Sequence, residues 1–134
     1  MAAAGSALQS REVNERNAVN LLVGLRLAVG AASWGAPRLA GKLFGLDAEA
    51  NPQAPYLARL FGVRDLALAW GALGADGEAR RQWLLAGLAC DAADVLAGVA
   101  GGRGGYLPKQ TSVLVSATAL SAVGLGALAL SAAH

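Results

Sequence analysis

The stretch TSVLVSATALSAVGLGALALSAA, Thr111–Ala133, carries no charged residue over its whole length. About 20 apolar residues at ~1.5 Å rise each cross the ~30 Å hydrocarbon core of a bilayer, so this stretch is long enough to span one. A segment surrounded by hydrocarbon finds no water for its peptide groups and closes its hydrogen bonds internally, as a helix. The rest of the chain has a similar character. Of its 134 residues 55% are hydrophobic and only 15% charged, whereas ordinary soluble domains carry about 25% charged residues. The alternative is an Ala-rich soluble helical bundle, since Ala and Gly are only weakly hydrophobic. The uncharged stretch and a mean hydropathy of +0.45 weigh against it.

Outward from that stretch, the same signal recurs three times. One segment runs from about Asn17 to Ala36 and stops at Pro37; a second runs from Pro55, suited to a first helical turn, to Leu73; a third covers about Arg81 to Ala100. With the last span at about Pro108 to Ala133, the expected fold is all-α: a single-domain, four-helix transmembrane bundle. Short connections at 74–80 and 101–107 make antiparallel neighbours. The longer connection, 37–54, contains Arg38-Leu39-Ala40-Gly41-Lys42-Leu43-Phe44, which sets Leu39, Leu43 and Phe44 against Arg38 and Lys42. That pattern predicts a short amphipathic helix at the membrane interface between helices 1 and 2, with a plain loop as the alternative.

The N-terminus, MAAAGSALQSREVNER, lacks the basic start and long apolar run of a secretory signal. Residues 1–13 read as a flexible tail, and the first span as its own insertion signal. Trp34, Tyr56 and Tyr106 fall on one side of the bundle, Trp70 and Trp83 on the other, as expected for rings that favour headgroup level. Arg11, Arg16, Arg80 and Arg81 balance Arg38, Lys42, Arg103 and Lys109 across the membrane, so basic residues do not fix orientation. Four spans put both termini on the same side of the cell membrane, and the short unprocessed tail favours the cytoplasm.

Five charged residues lie where lipid is expected: Arg26, Arg64, Asp65, Asp91 and Asp94. An ionised side chain at the centre of an inserting helix costs about 2.5–3.5 kcal/mol, and such residues persist when they face the protein interior and pair there. At ~1.5 Å per residue, all five fall within about one helical turn of the same depth. Gly87, Asp91, Asp94 and Gly98 share one stripe of the third span; Ala58, Gly62, Asp65, Ala69 and Ala72 share one of the second. Small residues let helices approach closely in lipid, which brings the carboxylates within reach of Arg26 and Arg64. Two arginines against three aspartates leave one negative charge over, which a proton shared by Asp91 and Asp94 would remove. Arg59 lies nearer the interface and is expected to snorkel outward.

Other chemistries are poorly served. A net charge of +2 without a basic patch argues against nucleic acid. The lone Cys90 and lone His134 leave no zinc site and no Cys–His nucleophile, and no phosphate loop, haem ligand pair or flavin signature calls for a cofactor. Thr111, Thr118 and Ser121 on the last span are expected to bond their own backbone carbonyls.

Arg26-Leu27-Ala28-Val29-Gly30, Ala36-Pro37-Arg38-Leu39, Leu43-Phe44-Gly45, Phe61-Gly62-Val63-Arg64-Asp65-Leu66-Ala67-Leu68 and Asp91-Ala92-Ala93-Asp94 resemble small bacterial membrane proteins of the DoxX-like type, in an actinobacterial-looking branch. The resemblance covers most of 19–101. It implies a four-helix transmembrane fold and brings no activity or catalytic residues.

Two functions then compete with a static ion-pair network. One is a binding or accessory protein, whose charge cluster holds the polar part of a lipophilic ligand or docks a membrane partner, a second copy included. The other is a cofactor-free membrane enzyme of the isomerase, cyclase or epoxide hydrolase type. Asp91, Asp94 and Asp65 would be its acid/base groups and Arg64 and Arg26 its anion stabilisers, acting on a terpenoid- or quinone-like substrate.

Overall fold

Pro37 decides where the first helix stops. Its ring disfavours helical backbone at the preceding residue, and Ala36 accordingly sits at φ −134°, ψ 63°. The computed structural model describes residues 1–131 and shows five helices, with no strand among them. They are α1 (Ala2–Gly35), α2 (Pro37–Leu43), α3 (Ala54–Gly74), α4 (Gly77–Gly104) and α5 (Lys109–Ser131). The last two residues of the expected final span, and His134, lie outside the described residues.

α1 begins at Ala2, well ahead of the expected start near Asn17. Nothing at its N-terminal end breaks a helix, and Ser6 and Ser10 return their hydroxyl hydrogen bonds to carbonyls of the same helix. The first fourteen residues are all exposed, so this end is helical by local preference and not by burial. At the other end of the bundle, α2 closes with Leu46 donating to the Gly41 carbonyl (2.8 Å) and Gly45 to that of Lys42 (3.0 Å). This is the Schellman arrangement, which needs a left-handed residue just past the helix, and Gly45 supplies it at φ 80°.

The four long helices form a ring in chain order. α1 packs on α3 and α5, α4 packs on α3 and α5, and α2 lies against α1 and α3. Among the described residues, α1 and α4 have no direct backbone contact and stand diagonally opposite, as do α3 and α5. The α1–α3 seam is drawn tight by Gly30 and Gly62. A Cβ on Gly62 would come 2.8 Å from the Gly30 carbonyl oxygen, and one on Gly30 would come 2.9 Å from that of Gly62.

The distribution of residue types departs from that of a soluble bundle in its buried charges and in the number of large apolar side chains left outside. Arg26, Ser33, Asp65, Asp91 and Thr111 are buried among Ala, Val, Leu and Gly, while Leu21, Leu60, Val63, Leu96, Val113, Leu120 and Leu128 face outward. In water the large apolar groups would be inside. α1, α4 and α5 are each long and apolar enough to cross a membrane, so the chain has the character of a membrane protein with several spans. α3 is not among the three: its 21 residues include Arg59, Arg64 and Asp65.

Candidate functional site

Arg26 arises from the middle of the expected first span and is only 4% exposed. Its guanidinium reaches across the diagonal of the ring to Asp91 on α4. Nη1 donates to Oδ1 at 3.1 Å and Nη2 to Oδ2 at 2.6 Å. This two-point geometry is the strong form of an arginine–carboxylate pair. Gly87, one turn before Asp91, makes it fit: a Cβ there would lie 2.6 Å from Arg26 Nη2. The diagonal is thus closed by one long side chain resting on a glycine.

Asp65 on α3 continues the chain of charge. Its Oδ1 lies 3.5 Å from Arg26 Nη1 and 3.8 Å from Arg64 Nη2. Arg64 in turn forks onto Asp94 of α4, with Nη1–Oδ1 at 3.0 Å and Nη2–Oδ2 at 2.5 Å, and its guanidinium carbon lies 4.5 Å from the centre of the Phe61 ring. The five residues form one series of alternating sign, Asp91–Arg26–Asp65–Arg64–Asp94. The arginines separate the carboxylates, and among the described residues no group of His, Cys, Asp and Glu could hold a metal ion.

Exposure changes along the series. The side chains of Arg26 and Asp91 are 5% and 4% exposed, those of Arg64 and Asp94 32% and 24%. The outer pair sits between α3 and α4, the least extensive of the four seams in the ring. Toward the C-terminal end of α3 that seam is shut by Trp83, whose ring packs directly on Gly71.

All five residues singled out in the sequence are brought together here, and the expected Arg64–Asp94 contact is present. The pairing differs from a carboxylate dyad, because Asp91 and Asp94 each hold a different arginine. Asp65 is the least well compensated of the three aspartates, engaged by guanidinium groups at one oxygen only. Arg59 stays out of the series: its Nε donates to the Trp34 carbonyl at 3.2 Å and its guanidinium lies 6.0 Å from the Trp34 ring. Thr118 and Ser121 do bond their own helix, through the carbonyls of Leu114 and Ala117. Thr111 does not. It is fully buried, and its hydroxyl has no hydrogen-bond partner among the described residues. It packs against Gly45, where a Cβ would meet Oγ1 at 2.7 Å. Only the fold could reveal that contact, since it depends on how the turn after α2 meets the start of α5.

No family model, no curated protein and no solved structure matches this chain.

Proposed function

We propose that the chain is a four-span protein of the cell membrane, of the DoxX-like type, whose Arg64–Asp94 pair receives the polar part of a lipophilic ligand at the α3–α4 seam. α3 would be the fourth span despite its three charges, because each has a partner: Asp65 faces inward onto Arg26, Arg64 holds Asp94, and Arg59 sits near the helix end on Trp34. Its outward residues, Leu57, Leu60, Val63, Trp70 and Leu73, are exposed and suited to lipid. α2 would lie at the interface, since Leu39 and Leu43 are exposed beside Arg38 and Lys42. An even number of spans puts both ends of the chain on one side, for which the cytoplasm is favoured.

The observation that carries the functional reading is the gradient of exposure along the charge series. A charged pair fully inside the bundle can serve packing alone. A pair at mid-depth that is a quarter to a third exposed faces hydrocarbon, where uncovered charge is expensive, so a polar group arriving from the bilayer would gain by covering it. An acid/base enzyme has weaker support, because both oxygens of Asp91 and of Asp94 are already held by guanidinium groups, and Asp65, which keeps one oxygen free of them, is buried.

Mass spectrometry of lipids extracted from detergent-purified wild type, Arg64→Gln, Asp94→Asn and Asp91→Asn tests this. The expected result is a specific lipophilic molecule on wild type that is depleted in the two seam variants and retained in Asp91→Asn that still folds. A substrate on Asp94→Asn where wild type carries its product would establish the enzyme. Stoichiometric protein in place of a small molecule would make the pair a docking site. A wild type that carries nothing specific, and matches both seam variants in stability, would leave only the static network.

A further inference from the structure

At the end of the bundle opposite α2, a cleft of about 320 Å³ opens between α1, the end of α3 and the start of α4. From α1 it is lined by Glu12, Glu15, Arg16, Val19 and Asn20. These follow i, i+3, i+4, i+7 and i+8, a single helix face. Leu73 and Arg80 complete the wall from the other side. Arg80 is held in place by a hydrogen bond from its Nε to the Ala72 carbonyl at 3.1 Å, with the exposed Asp76 3.6 Å from its Nη2. Among the described residues, Glu12, Glu15 and Arg16 make no ion pair. Two carboxylates and two guanidinium groups thus line one cleft, with formal charges that cancel.

Their order matters more than their sum. From the bundle outward along α1 come Asn20 and the buried Val19, then Arg16, then Glu15, then Glu12, spread over roughly 12 Å of helix. Leu73 and Arg80 set an apolar and a cationic group side by side on the facing wall. A membrane glycerophospholipid presents its groups in the same order: acyl chains, ester carbonyls, phosphate, then the headgroup amine. We infer that this cleft binds a zwitterionic glycerophospholipid with a primary ammonium headgroup: the phosphate between Arg16 and Arg80, the ammonium on Glu15 and Glu12, an ester carbonyl at Asn20 and the first acyl carbons against Val19 and Leu73. A primary ammonium has three N–H donors for the two carboxylates. A trimethylammonium headgroup has none and is recognised by aromatic rings, and among the described residues no aromatic side chain lines this cleft. An anionic headgroup would leave both glutamates unmatched.

The inference rests on placing the bundle in a membrane but not on any role for the charge series in its centre. Native mass spectrometry of the detergent-solubilised full chain tests it, with phosphatidylethanolamine, phosphatidylcholine and phosphatidylglycerol of identical acyl chains added in equal amounts. Retention of phosphatidylethanolamine should exceed the other two by about two- to fivefold, the range that one exposed charge pair supplies. Arg16→Gln should weaken that retention, and Arg16→Gln with Arg80→Gln should abolish it. Glu12→Gln with Glu15→Gln should reverse the preference toward phosphatidylglycerol. Soluble phosphoethanolamine should compete poorly, since it lacks the acyl chains that Val19 and Leu73 hold. Equal retention of the three lipids by wild type, an unchanged preference in the glutamate variant, or full competition by phosphoethanolamine would overturn the inference. If the protein left membranes under alkaline carbonate without detergent, the membrane placement itself would fall.

Discussion

Arg26 grips Asp91 and Arg64 grips Asp94 through the same two-point fork, one arginine–aspartate pair across the bundle's diagonal and the other at the α3–α4 seam. The inner pair is sealed, with a glycine cut away beneath the guanidinium to admit it. The outer pair is open enough to be reached from the side. Identical chemistry therefore supports different roles according to what surrounds it. Inside, both charges have lost their water, so Asp91 depends on Arg26, and Arg26 on Asp91 with a longer contact to Asp65. At the seam part of the surface is free, which makes the pair weaker as a brace and, on the proposed reading, the place where a ligand would bind.

The contrast can be broken most severely from the inside. Asp91→Ala would leave Arg26 buried without its main partner, a loss of about 3–5 kcal/mol for one half of a buried pair, read as a large fall in unfolding temperature in detergent or as failure to accumulate in membranes. Gly87→Ala attacks the same pair without touching a charge. Its methyl would press on Arg26 Nη2, which is 2.6 Å from the Cβ position, and overpacking of that kind costs about 1–3 kcal/mol. Arg64→Ala or Asp94→Ala should cost less, about 1–2 kcal/mol, between the exposed and fully buried limits, and on the proposed function should also deplete the lipophilic molecule expected to co-purify with wild type. If the seam variants destabilised the protein as much as Asp91→Ala, the distinction between brace and open end would be lost.

Much of the inner layer was legible because helix periodicity is a local property. Of the two predicted stripes, Gly62, Asp65, Ala69 and Ala72 on α3 and Gly87, Asp91 and Gly98 on α4 are buried together, while Ala58 and Asp94 are only half-buried. The Arg64–Asp94 contact was also within reach, since a short connection makes α3 and α4 neighbours and residue counting puts the two at one depth. Counting gives depth but not direction around a helix axis. It could not show that Arg26 crosses the diagonal to Asp91, or that Asp94 turns toward the seam while Asp91 turns inward. The cleft at the other end was hidden for a different reason. Glu12 belongs to residues that read as a tail, and only their helical continuation sets Glu12, Glu15 and Arg16 on one face opposite Arg80.

The division of labour between the two pairs can be measured directly with double-mutant cycles on Arg26/Asp91 and Arg64/Asp94, scored by reversible unfolding in the same detergent. Coupling isolates the pairwise energy from the damage that each single replacement does on its own. A sealed brace and an open end predict a coupling of about 2–3 kcal/mol for the inner pair and about 1 kcal/mol or less for the outer. Equal couplings, or a stronger one at the seam, would contradict the account.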